Sequence, residues 1–205
     1  MSDAIAHIVD DDAAVRDALQ WLLRSRGVAS HAWDSADGFL AAAGRDLCGC
    51  LLLDVRMPGM SGIELFDRLR AIDCRLPVIF LTGHGDVPMA VQALKDGAFD
   101  FVEKPYDDNA LVDKVVGAIA LDAKRSAREE SVNSVQNRLA QLTQREQEVM
   151  QQILAGKLNK VIADELGIAM RTVEVHRSHI FEKMEVRSAV ELSQMLSTLG
   201  GKREG

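Results

Sequence analysis

Five short apolar runs, spaced so that a helix fits between neighbours, dominate the first 105 residues. Residues 5–9 run into Asp10 and Asp11, residues 51–53 into Asp54, and residues 78–81 into Thr82. Residues 99–102 reach Lys104 and Pro105, whereas residues 28–33 bring no reactive group. Between the runs, apolar residues recur at helical spacing: Val15, Leu19, Leu22 and Leu23, then Ile63, Leu65, Phe66, Leu69 and Ile72, then Val87, Ala90, Val91 and Leu94. A shorter helix is expected over 35–43, and another follows Asp107 with Leu111, Val112, Val115, Val116 and Ile119 as its stripe. Strands alternating with such helices predict an α/β fold, a five-stranded doubly wound parallel sheet with right-handed crossovers.

In an open parallel sheet, ligands bind beyond the carboxyl ends of the strands. Asp10, Asp11, Asp54, Thr82 and Lys104 would therefore converge. Carboxylate oxygens on separate strand ends suit Mg²⁺, which takes one or two carboxylates and keeps several waters. Asp11 and Asp54 are expected as direct ligands, Asp10 through water, and the backbone carbonyl of Arg56 as a third donor. Asp54 at the centre is then a carboxylate nucleophile able to accept a phosphoryl group. Lys104 would neutralise charge on the transferring oxygens, and Thr82 would hydrogen-bond one of them. An acidic triplet alone reads as a solvated turn; its company at the other strand ends changes that reading.

Charge divides the chain. Residues 1–122 carry 20 acidic and 11 basic side chains, and residues 123–205 carry 11 and 13, so two halves with different partners are expected. No apolar stretch approaches the length of a membrane span. Met1-Ser2-Asp3-Ala4 lacks the basic-then-apolar pattern of a secretory leader. Cys48, Cys50 and Cys74 have neither disulfide nor metal spacing. A cytoplasmic protein with no membrane association is the expectation.

The domains are expected at 1–121, with a helical linker or short coiled coil over 122–141 through Val132, Val135 and Leu139, and an all-helical domain over 142–205. Thr143 to Glu146 and Ser188 to Glu191 are capping boxes. Asn159 is expected to cap a short helix that ends at Gly167, followed by a longer helix over 170–184. Helix, glycine turn, helix is the helix-turn-helix outline. On the second helix Val173, Ile180 and Met184 face inward, and Glu174, Val175, Ser178 and Arg171 face outward. Val175 can meet a thymine methyl and Ser178 a base or phosphate. Lys157, Lys160, Arg177 and Lys183 are candidate phosphate clamps. Few clamps mean weak binding by one domain, which points to a homodimer on an inverted repeat.

The residues His7 to Asp12, Leu53 to Gly59, Leu81 to Asp86 and Glu103-Lys104-Pro105 resemble the receiver domain of two-component response regulators, and residues 82–90 resemble its FixJ subfamily. The stretch with Asn159-Lys160, Ile162-Ala163, Leu166-Gly167-Ile168 and Arg171 to Arg177 is similar to the LuxR-type helix-turn-helix. The resemblance implies a flavodoxin-like receiver with Mg²⁺ or Mn²⁺, a sensor histidine kinase as phosphodonor, and a switch in which Thr82 and Phe101 reorient together. It also implies double-stranded DNA contact that includes Asn159 and Thr172, RNA polymerase as a partner, and a phosphorylation-promoted homodimer. Dimer residues would be Val91 and Lys95 in the receiver and Leu192, Met195 and Leu196 in the last helix. Ala169 stands where relatives often place a capping serine, and Glu174 where some have lysine. A regulator that binds DNA independently of phosphorylation is the alternative reading.

Overall fold

The computed structural model describes residues 5–44, 47–83 and 87–200. The five apolar runs form strands β1 Ile5–Val9, β2 Ser30–Trp33, β3 Gly49–Asp54, β4 Val78–Thr82 and β5 Asp100–Glu103. All pair in parallel, in the order β2-β1-β3-β4-β5. Strand order reverses between β1 and β3, so the ends of those two strands border the crevice where such sheets bind ligands. Asp10 follows one, and Asp54 closes the other. The second strand starts later than expected because Val28 is still tied to the preceding helix, its N–H donating to the Leu23 carbonyl at 2.9 Å.

Helices α1 Ala13–Ser25, α2 Ala36–Ala42, α3 Gly62–Ala71, α4 Val87–Lys95 and α5 Asp108–Ala140 cover the sheet. Alternate strand residues supply two cores, as a sheet buried on both faces requires. Leu51, Leu53, Val78 and Phe80 pack with Phe39, Leu65 and Leu69 from α2 and α3. Cys50, Leu52, Ile79 and Leu81 pack with Leu19, Leu23, Leu111 and Val115 from α1 and α5. At the opposite end of β3 from Asp54, a Cβ on Gly49 would lie 1.8 Å from the Ile5 carbonyl oxygen. That close approach, at φ 115°, admits only glycine.

The chain divides into two compact units between Ser126 and Ala127, inside the 33-residue α5. In the second unit α6 Gln144–Leu154, α7 Asn159–Leu166, α8 Met170–Met184 and α9 Ala189–Gly200 enclose a core of Val149, Ile153, Ile162, Val173, Ile180, Met184 and Leu192. Val135 is buried in that core and Leu139 packs against it. Their apolar surface is thus spent within the chain, which replaces the coiled-coil reading of this stretch. Thr143 and Glu146 exchange both capping-box bonds. Asn159 does not cap α7: Leu158 holds that place with no side-chain bond, and Asn159 is the first helical residue. Gly167 ends α7 at φ 63°, the left-handed conformation that glycine tolerates best.

Candidate functional site

The acidic pocket is assembled by strand ends and one helix start. Lys104, just beyond β5, extends its ammonium to Asp54 at 2.5 Å and to Asp10 at 3.0 Å. Asp10 is 1% exposed and Asp54 8%. The remaining oxygens of both are also engaged: Asp10 Oδ1 accepts from the Asp12 N–H at 2.9 Å, and Asp54 Oδ2 from the Arg56 N–H at 2.8 Å. Asp12 caps α1 through the Ala14 N–H. Burial pushes the Asp54 carboxyl above the usual carboxylate range, against the opposing pull of Lys104. Burial alone would lower Lys104, but its bonds to the two carboxylates outweigh that and hold the ammonium above its ordinary value.

Two buried carboxylates already share one cation, so the donor set is hard oxygen around a positive charge. Among the described residues no three His, Cys, Asp or Glu side chains form a ready-made metal cage. Mg²⁺ does not need one, since it takes one or two carboxylates and completes its shell with water. The residues therefore fit that ion. Thr82 is buried, and its hydroxyl donates to the Gly83 carbonyl at 2.9 Å. Phe101 is half-buried and packs against the α2–α3 side of the sheet.

In the second unit, α8 divides into a buried and an exposed face. On α8, Val173, Ile180 and Met184 are fully buried, whereas Arg171, Thr172, Glu174, Val175 and Ser178 are exposed. Val175 is 47% exposed. Lys160 is exposed on α7 beside the half-buried Asn159. Ala169 offers no cap to α8, as the sequence indicates.

Residues 6–116 match the response regulator receiver domain, and residues 140–196 match the luxR family of bacterial regulatory proteins. The chain is 53% identical over 191 residues to the C4-dicarboxylate transport transcriptional regulatory protein DctR of Rhodobacter capsulatus, covering 92% of this chain and 97% of that one. It is 45% identical over 194 residues to the transcriptional regulatory protein FixJ of Azorhizobium caulinodans, covering 95% and 92%. This chain belongs to the response regulators. The solved response regulator StyR matches it with a TM-score of 0.91 at 43% identity, covering 96% of this chain and 99% of the other. Full-length FixJ from B. japonicum matches with a TM-score of 0.60 at 40% identity, covering 98% and 99%.

For this response regulator, the receiver implies a histidine kinase partner and the luxR-family half implies DNA binding, in a family of transcription regulators. No described helix is long and apolar enough to cross a membrane. Asp10, Asp54 and Lys104 come together, and Asp11 is exposed beside them in sequence. His84, Gly85 and Asp86 of the receiver-like motif lie outside the described residues.

Some expected surface residues are employed otherwise. The Lys183 ammonium meets the buried Glu146 at 2.7 Å and the Gln141 carbonyl at 3.3 Å, inside its own unit. Lys157 pairs with Glu165, and the Arg177 guanidinium lies 5.4 Å from the Phe181 ring centroid. Leu192, expected at a dimer surface, is a correction: it is 0% exposed and packs in the unit's own core. Met195 and Leu196 are partly buried against that core, whereas Val91 and Lys95 are exposed on α4.

Sequence reasoning overlooked two supports of the pocket. A Cβ on Gly62 would stand 2.1 Å from the Asp54 carbonyl oxygen, so only glycine lets α3 start there. Ser61 before it and Glu64 after it form a capping box that would have marked this helix start. Arg16, four residues into α1, donates to the carbonyls of Asp10 and Asp11. Nothing in its helical spacing announces that bond.

Proposed function

We propose that Asp54 is the phospho-acceptor of a two-component transcription regulator, and that its phosphorylation controls DNA binding by the second unit. The observation that carries this reading is the single ammonium of Lys104 shared by Asp54 and Asp10 at the strand-order reversal. An Asp54 oxygen forms the new P–O bond as the P–N bond to the kinase histidine breaks, the electron pair leaving with the imidazole, which is protonated. Lys104 moves from two carboxylates to the incoming phosphoryl oxygens, offsetting their added charge. Thr82 turns its hydroxyl from Gly83 to the same group, and Phe101 repacks as that space empties. Asp10, Asp11, Asp54 and the Arg56 carbonyl would hold Mg²⁺, or Mn²⁺, which when bound supplies Lewis-acid neutralisation of the transferring oxygens.

On α8, Val175 and Glu174 read base edges, while Arg171, Thr172, Ser178, Asn159 and Lys160 set register on phosphates. Lys157 and Arg177 support that register from the edges of this surface. The α4 surface with Val91 and Lys95 pairs two phosphorylated receivers, placing two recognition helices on an inverted repeat in the cytoplasm. Incubation with radiolabelled acetyl phosphate and Mg²⁺, followed by a gel shift, tests the reading. Wild type should be labelled and bind its operator more tightly, whereas Asp54→Asn should fold, take no label and show no gain. Persistent label on that variant, or equal DNA affinity with and without phosphodonor, would refute it.

A further inference from the structure

Arg16 lies near the start of α1 and folds back over the turn that precedes its own helix. One terminal nitrogen of its guanidinium donates to two main-chain oxygens, that of Asp10 at 2.7 Å and that of Asp11 at 3.0 Å. A terminal guanidinium nitrogen carries two N–H groups fixed in one plane and accepts nothing, so two carbonyls meeting on it hold both peptide planes at once. Those planes determine where the two carboxylates leave the backbone.

The choice of partners is informative. Asp10, Asp11 and Asp12 are consecutive, and Asp54 is joined to Asp10 through Lys104. Such a group of carboxylates repels itself and invites any nearby cation to bond to side-chain oxygens. Lys104 does so. Arg16 instead takes the carbonyls of Asp10 and Asp11, and so adds positive charge to the turn without consuming a carboxylate oxygen. A residue serving only to pin α1 would gain as much from the carboxylates themselves, because ionised acceptors make the stronger bonds. Asp12 already caps the helix through the Ala14 N–H, at 2.8 Å. The turn is thus held without Arg16 occupying any of its carboxylate oxygens.

We propose that Arg16 is a positioning residue for divalent-cation uptake, holding the Asp10–Asp11 backbone so that the carboxylates are aimed before the ion arrives. This rests on the reading of the pocket given above. It predicts an effect on cation affinity, with little on the chemical step once the site is filled.

Full-length wild type, Arg16→Ala and Arg16→Lys are titrated with MgCl₂ by calorimetry without phosphodonor. Labelling rates with acetyl phosphate are then measured across the same Mg²⁺ range. Loss of a group that orients metal ligands weakens affinity by about 10-fold or more. Arg16→Ala should shift both Mg²⁺ midpoints by that factor and still reach the wild-type labelling rate at saturating Mg²⁺. Arg16→Lys, whose tetrahedral ammonium can donate to both carbonyls but lacks the fixed plane of the guanidinium, should fall between them. An unchanged midpoint in Arg16→Ala, even with a lowered melting temperature, would reduce Arg16 to a helix tether and overturn the proposal. An equal loss of labelling at every Mg²⁺ concentration would overturn it too. If wild type itself takes up no Mg²⁺, the pocket reading falls and this inference falls with it; if only the variants match wild type, the pocket reading stands.

Discussion

The ammonium of Lys183 on α8 lies 2.7 Å from the carboxylate of Glu146 on α6, a side chain only 4% exposed. Helix α8, with its exposed Arg171, Glu174, Val175 and Ser178, is thus held to its scaffold by a charge pair as well as by Val173, Ile180 and Met184. Removing one member of a buried pair strands the other, which costs about 3 kcal/mol or somewhat less here because Lys183 keeps partial solvent access. Lys183→Met should lower the stability of the second unit by that amount in urea unfolding. The double variant with Glu146→Gln should recover part of the loss.

The same pair makes the second unit acid-sensitive. Burial would raise the Glu146 carboxyl, but Lys183 and the Thr143 N–H outweigh it and hold the group below its ordinary value of 4.5. A carboxyl depressed on folding contributes stability that is fully present above its unfolded value and lost as pH falls through the lower folded one. Melting temperature should therefore decline below about pH 4.5 in wild type. In Glu146→Gln the decline should be shallower, as followed by circular dichroism from pH 3 to pH 7.

Lys104 offers a complementary test. Without its ammonium, the buried Asp10 and Asp54 carboxylates lose their shared cation, at a cost of up to about 3 kcal/mol at neutral pH. Lys104→Met should melt below wild type in the presence of chelator. Added Mg²⁺ should raise the melting temperature of the variant more than that of wild type, because the ion supplies the missing charge. Equal shifts in the two proteins would show that the ion sits elsewhere.

Reading and clamping residues should separate on DNA. Lys160→Ala should weaken binding to all sequences alike and reduce the salt slope by about one unit. Val175→Ala should leave that slope unchanged and relax discrimination at one base pair by about 1 kcal/mol. Quantitative gel shifts across operator variants at several salt concentrations distinguish these outcomes.

How much of this could be read before folding varies with the kind of residue. The five strands and the helices between them were legible because period and length are local properties of a sequence, and the chemistry at the strand ends followed from their placement. Asp10, Asp54 and Lys104 are ionisable residues at strand ends, so a pattern could nominate them before the structure brought them together. Lys183 shows where that approach stops. The sequence shows a cation on a helix, but nothing in its spacing shows that Glu146, 37 residues earlier, lies against it. Leu192 shows the same limit, because an apolar residue on a terminal helix does not reveal whether its partner lies in its own chain or in another.

By itself the sequence determined the alternation of strands and helices, the acidic triplet with its distant lysine, and the helix-turn-helix punctuation. Helical and strand periods and capping boxes act over a few residues, and that is why they survive without a fold. Tertiary structure alone decided that Lys104 serves two carboxylates, that Gly62 must be glycine to clear the Asp54 carbonyl, and that Arg16 grips main-chain oxygens rather than side chains. Each of those depends on the approach of atoms within about 3 Å, a distance over which hydrogen bonds form or clash and which no residue spacing encodes.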